Sequence, residues 1–246
     1  KLPKTRVDAE AFDAADTLGK VRNRFKIPEG MTYLVGHSLG PATFSALQSV
    51  KAAAELEWAV DIVGAWNSAD WINLPKTVGA KIAPLIGAKS SEVVICDSVS
   101  VNLFKLAASA LPLTPLRRII IEDDEFPTDQ YIAQGLASLS ATQFHRVPAG
   151  EGMAALYGGG VLIKSAVNYR TAEIIDMAAW EKAAAQAGAI IVWDFSHATG
   201  VVPVNVAACG ARLGAGCTYK YLNGGPGAPA FVYAREDIAQ AILSPL

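Results

Sequence analysis

The sequence predicts an α/β fold, a mainly parallel central sheet wrapped by helices. From about residue 93 onward, apolar runs of strand length alternate with segments of helical period, the rhythm that βαβ units impose. The run Ile190-Ile191-Val192-Trp193 is apolar throughout rather than alternating, as a strand covered on both faces is. Polar clusters follow the runs one after another, at the strand ends where open α/β sheets bind ligands.

Taken in order, residues 1–30 read as a polar helix, with Ala9, Phe12, Ala15 and Leu18 helically spaced, closed by a turn at Pro28-Glu29-Gly30. Met31 to Leu34 reads as a short apolar strand entering His37-Ser38-Leu39-Gly40. Residues 43–60 form an alanine-rich amphipathic helix and 76–87 another. Strands are expected at 93–96, 118–122, 143–147, 161–166, 189–193, 213–217 and 229–233, with helices at 100–110, 128–138 and 176–187. No internal repeat or linker-like stretch appears, so the chain divides into an N-terminal helical arm and opening segment, 1–70, and one large α/β domain, 71–246.

Composition narrows the function classes. With 52% hydrophobic and 18% charged residues, the chain is globular and not disordered. A net charge of −2 without a basic run lacks the footprint of a nucleic-acid binder. Cys96, Cys209 and Cys217 are odd in number and match no metal spacing; Cys96 and Cys217 lie in apolar, strand-like runs, so buried free thiols in a reducing cytosol are expected for them. No apolar run reaches membrane-span length, and Lys1-Leu2-Pro3-Lys4 lacks a signal-peptide core. The expectation is a soluble cytoplasmic protein without nucleic-acid, membrane or metal partners.

The polar clusters carry the chemistry. Asp194 stands at the end of the apolar run 190–193, where an unpartnered carboxylate is costly to bury. Lys220 follows the small-residue strand Leu213 to Cys217, is flanked by Tyr219 and Tyr221, and precedes Leu-Asn-Gly-Gly-Pro-Gly. A lysine amine condenses with an aldehyde cofactor, and a carboxylate pairs with that cofactor's protonated ring nitrogen. That combination is the chemistry of pyridoxal phosphate. Asp97-Ser98-Val99-Ser100 opens a helix whose free N–H groups suit a phosphate, although a serine there could equally cap the helix. Phe126, held extended by Pro127, could lie on a flat cofactor, and Asp129 could bond its ring substituents, unless Thr128 or Asp129 only starts a helix. His197, three residues past Asp194, could stack or bond near the same ring; Asp-x-x-His as a metal pair is weakly supported.

Those residues, in that order, resemble kynureninase, a pyridoxal-phosphate enzyme of the aspartate-aminotransferase-like fold type I. The motifs are YLVGHSLG at 33–40, WNSADW at 66–71 (like bacterial members), DSVSVNLFK at 97–105, DEFPTDQY at 124–131, SAVNYRT at 165–171, WDFSHATG at 193–200 and TYKYLNGGPG at 218–227. The resemblance implies that Lys220 bonds the cofactor and shuttles protons with help from Tyr219, and that Asp194 pairs with the ring nitrogen. It further implies phosphate contacts from Val99 (through its backbone), Ser100 and Tyr219, stacking by Phe126, and a lining of Asp129, Ser165 and His197. The implied reaction is hydrolytic cleavage of the Cβ–Cγ bond of L-kynurenine, or its 3-hydroxy form, to anthranilate and L-alanine. That step belongs to tryptophan catabolism and leads toward NAD biosynthesis. A homodimer is also implied. His37 stands where many relatives carry asparagine, and the small C-terminal domain of the family is missing beyond Leu246. Alternatives are another enzyme of the fold, such as a cysteine desulfurase-like lyase or a transaminase, or a non-catalytic relative.

Overall fold

A computed structural model describes residues 2–246. Seven strands form one sheet in the order β1-β7-β6-β5-β4-β2-β3. They are β1 (Val93–Ile95), β2 (Arg118–Glu122), β3 (Gln143–Val147), β4 (Gly160–Ser165), β5 (Ala189–Asp194), β6 (Leu213–Gly216) and β7 (Phe231–Ala234). Strands β3, β2, β4, β5 and β6 run parallel, while β7 pairs antiparallel with both β6 and β1. The mainly parallel α/β sheet anticipated from the apolar runs is therefore present, with an antiparallel edge.

The helices are α1 (Arg6–Ala15), α2 (Phe44–Ala52), α3 (Ala65–Ser68), α4 (Leu74–Ile82), α5 (Val99–Ala110), α6 (Pro127–Leu139), α7 (Gly152–Ala155), α8 (Met177–Ala187), α9 (Val206–Cys209) and α10 (Glu236–Ala239). Alternation along the strands sends side chains to two cores. On one face Ile120, Leu162, Ile191 and Trp193 pack with Ile82 of α4, Ala184 of α8 and Val206 of α9. On the other, Ile119, Ile121, Val161, Ile163, Ile190 and Val192 pack with Leu103 and Leu106 of α5 and Ala133 and Leu136 of α6.

The N-terminal expectations need correction. The helix predicted over 1–30 is only α1, capped by Thr5 and Asp8 in a reciprocal capping box, followed by a short 3₁₀ stretch at Gly19–Arg24. Met31 to Leu34 has no strand partner and is irregular, because no sheet edge lies beside it to complete a ladder. The helix over 43–60 is α2 continued by wide π-helical turns over Ala53–Asp61. Cys217 is buried, but Cys96 and Cys209 are only half-buried: β1 is a three-residue edge strand that stops before Cys96, and Cys209 closes a single-turn helix.

One buried carboxyl gives the fold a pH dependence. Glu181 of α8 accepts a 2.7 Å bond from Trp193 Nε1 beneath the sheet. Burial, opposed only in part by that bond and by Arg235 and Arg212, pushes its carboxyl up to about 7 from an ordinary 4.5. The folded state thus holds a proton that the unfolded chain releases earlier. Stability is full below pH 4.5 and falls as pH rises through 7, by about 3 kcal/mol. Glu181→Gln keeps an acceptor for Trp193 and is expected to flatten this slope, checked by urea midpoints between pH 5 and pH 8.5. An unchanged slope would assign the dependence elsewhere.

Candidate active site

The polar loops converge at the carboxyl ends of the parallel strands. They enclose a cavity of about 220 Å³ lined by Ser98, Val99, Ser100, Phe126, Thr128, Asp129, Asp194, Ser196, His197, Cys217, Tyr219, Lys220, Ala228 and Ala230. Eight residues anticipated from sequence meet there: Val99, Ser100, Phe126, Asp129, Asp194, His197, Tyr219 and Lys220. Ser165, the remaining one, ends β4 and is not part of the wall; its amide donates to Glu125 Oε2 at 3.1 Å.

The anion-suited corner is the start of α5. Asp97, in a left-handed conformation (φ 46°), turns the chain out of β1 and is held by Lys105 at 2.6 Å. Ser98 caps the helix by accepting from Val101 N at 3.4 Å, so the plain capping role anticipated for one serine falls to Ser98. Ser100, within the first turn, lines the cavity at the helix start, where backbone N–H groups lack helical partners.

Lys220 lines the same cavity and is only 6% exposed. Its Nζ is 2.8 Å from His197 Nε2 and about 5.5 Å from the centre of the Phe126 ring. Burial, followed by the neighbouring Lys220 charge, holds His197 below its ordinary range. With its proton on Nδ1, a neutral His197 accepts a hydrogen bond from the Lys220 amine at Nε2. Tyr219 is half-buried, and burial raises its hydroxyl above the usual phenol range, so it stays protonated near neutrality.

The floor is a pair of carboxyls. Asp194, 4% exposed at the end of β5, accepts from Ser196 N at 2.8 Å. Asp129, 1% exposed in the first turn of α6, is pushed well above the usual carboxylate range, by burial and then by the Asp194 charge. Its Oδ2 is buried without a hydrogen-bond partner. A buried acid pair with an unsatisfied oxygen calls for an incoming donor or cation.

Backbone geometry presents Lys220. Thr218 Oγ1 donates to Pro229 O at 2.6 Å and Gly224 N to Thr218 O at 2.8 Å, closing the glycine-rich turn. The GHSLG segment docks on it: Gly40 N donates to Tyr219 O at 2.9 Å, and Asn223 Nδ2 to Pro41 O at 3.0 Å. A Cβ on Gly40 would sit 2.0 Å from the Lys220 carbonyl oxygen, so only glycine permits this approach. Gly40→Ala is expected to cost about 2 kcal/mol through overpacking and to lower Tm by several degrees, read by calorimetry.

Sequence reasoning missed the clamp that holds Phe126 and Asp129. Lys164 of β4, 4% exposed, bonds Glu122 and reaches Glu125 Oε1 at 2.9 Å. Glu122 Oε1 also accepts from Gly150 N and Gly152 N, at 2.9 and 2.8 Å. Burial disfavours the Lys164 charge, but the two carboxylates outweigh it and hold the amine above its ordinary range. The available signal was a lysine inside the otherwise apolar GVLIKS run, which needed a buried acid partner. Among the described residues no cluster of three or more His, Cys, Asp or Glu could hold a metal, and no helix is long and apolar enough to cross a membrane.

The sheet and the helices that cover it recur in solved structures of other proteins. Solved structures share the architecture: the cysteine desulfurase CsdA from Escherichia coli superposes with a TM-score of 0.76 at 15% identity, over 92% of this chain and 60% of its own. A cysteine desulfurase from Thermococcus onnurineus gives 0.72 at 19%, over 93% and 59%. At sequence level the particular likeness is to kynureninase. The chain is 40% identical to the kynureninase of Pseudomonas fluorescens over 251 residues, 98% of this chain and 60% of that protein. The Burkholderia mallei enzyme is 42% identical over 252 residues, 99% and 61%. The chain spans about three fifths of the length of these relatives. No protein-family model matches.

Proposed function

We propose that this chain carries the cofactor-binding domain of a kynureninase, holding pyridoxal 5'-phosphate for hydrolytic Cβ–Cγ cleavage of L-kynurenine to anthranilate and L-alanine. The observation that supports it most is the buried Lys220, beside His197 and above the Asp129–Asp194 pair, in a chain 40% identical to a kynureninase. The residues suit the cofactor. Asp129 Oδ2 lacks a partner, the acid pair suits a cationic ring nitrogen, and the start of α5 suits a phosphate. Val99, Ser100 and Tyr219 would hold that phosphate, Phe126 would cover the ring, and Asp129 and His197 would border it.

Bound there, the cofactor acts as an electron sink for the carbanion at the substrate's Cα. The protein's part is acid–base chemistry and positioning. Lys220 takes the Cα proton and returns one later in the cycle, with His197 Nε2 as its hydrogen-bond partner in the resting site. Tyr219, kept protonated by burial, donates a proton where negative charge develops. Asp194, fixed by the Ser196 amide, holds the ring nitrogen's positive charge. Water supplies the oxygen of the anthranilate carboxylate, and alanine carries off the β-carbon.

Residues 1–70 serve as the N-terminal arm and 71–246 as the large domain of a homodimeric cytoplasmic enzyme of tryptophan catabolism, on the route toward NAD biosynthesis. Exposed Leu56, Trp58 and Val63 on the arm support pairing with a second copy. The visible spectrum of the protein with pyridoxal phosphate tests the reading. A band that borohydride fixes onto Lys220, that L-kynurenine perturbs, and that accompanies fluorescent anthranilate is expected. Cofactor attachment with release of sulfide from cysteine, and none of anthranilate, would replace it by a desulfurase-like lyase.

A further inference from the structure

The aromatic wall of the site does not stop at Phe126. Tyr169, in the loop after β4, places its ring 5.0 Å from Phe126, edge to face at 77°. The same ring lies 6.4 Å from His197 at 32°. Both neighbours belong to the Lys220 end of the cavity: His197 Nε2 bonds the amine at 2.8 Å, and Phe126 lies about 5.5 Å beneath it. Tyr169 therefore extends the wall on the side of the reactive amine.

The loop is built to hold this ring still. Asn168, 7% exposed, donates from Nδ2 to Asp124 Oδ2 at 2.8 Å. Its Oδ1 accepts from Arg170 N at 2.9 Å and Thr171 N at 3.1 Å, closing a tight turn around Tyr169. Arg170 Nε donates to the Tyr169 hydroxyl at 2.7 Å, and its guanidinium carbon lies 5.3 Å from the ring centre. The phenol oxygen is thus engaged, and the half-buried ring is the part left to meet a ligand.

We infer that Tyr169 is a specificity-determining residue, the outer wall against which the aryl group of an aromatic amino-acid substrate packs. The inference rests on the function proposed above. An amino acid whose amine reaches Lys220 has its side chain beside Phe126 and His197, and an aryl ring carried on Cγ extends past them to Tyr169. Aromatic contact at such a wall is worth a factor on the order of ten. A small side chain such as that of alanine does not extend so far and gains nothing from it.

The test uses the full chain loaded with pyridoxal phosphate, comparing wild type with Tyr169→Leu and Tyr169→Phe. Expected for Tyr169→Leu is an approximately tenfold rise in KM for L-kynurenine, with kcat and the Kd of L-alanine, read from the cofactor's absorbance, unchanged. Tyr169→Phe, which keeps the ring, should restore the KM. Equal weakening of kynurenine and alanine would overturn the inference, because Tyr169 would then act only by supporting Phe126. No weakening of either overturns it too. A wild-type protein that binds alanine but not kynurenine fails the proposed function itself and takes this inference with it.

Discussion

Replacing Lys220 with alanine is expected to abolish borohydride-resistant attachment of pyridoxal phosphate and to lower kcat on the order of 10⁴-fold. The amine is the buried nitrogen within bonding reach of His197 Nε2, and alanine can neither bond the cofactor nor relay the Cα proton. Mass spectrometry of the peptide spanning Tyr219 to Gly227 after reduction reads the first effect, and anthranilate fluorescence the second. The variant also removes the cation above Asp129, whose proton affinity the Lys220 charge lowers. Its acid pair should therefore hold a proton to higher pH than in the wild type. A Tm within a few degrees of the wild type keeps the result interpretable, since Lys220 donates to one side chain and supports no strand. Reduction that still fixes the cofactor to the variant would move the attachment to another lysine.

The sheet was legible because its central strands β4, β5 and β6 are buried on both faces. Apolar runs such as 190–193 and 119–121 have one reading when helices must cover both sides, and every strand expected from residue 93 onward lies within about two residues of its position. The rim was legible for the same reason, since a polar residue at the end of such a run is conspicuous. The N-terminal arm was not. Its helical spacing is real, but no described residue of α1 is buried, and propensity without packing leaves helix length undetermined. Lys164 and Tyr169 were missed for different reasons. Lys164 is paired with acids from β2 and its following loop, a contact of more than 35 residues in sequence separation. Tyr169 acquires meaning only when β4 and β5 place the loops bearing it and His197 side by side.

Asp194→Asn separates holding the cofactor from activating it. Asparagine preserves an oxygen for the Ser196 amide and nearly the same volume, so the loop after β5 keeps its shape. It removes the charge that would keep the cofactor's ring nitrogen protonated. Loss of one member of a buried, hydrogen-bonded charge pair costs about 2–5 kcal/mol, which on the transition state for Cα deprotonation is a fall of roughly 30- to 5,000-fold in kcat. Attachment to Lys220 should survive, because that bond does not involve the ring nitrogen. A second consequence can be read without cofactor. The Asp194 charge is, after burial, the largest influence raising Asp129, so in the variant Asp129 should lose its proton at lower pH, visible in the carboxyl resonances of aspartate labelled with carbon-13. Slow turnover with intact attachment and a lowered Asp129 titration would assign both roles to one charge. An unchanged kcat would mean that this charge does not govern deprotonation, and that the acid pair serves to bind the cofactor without activating it.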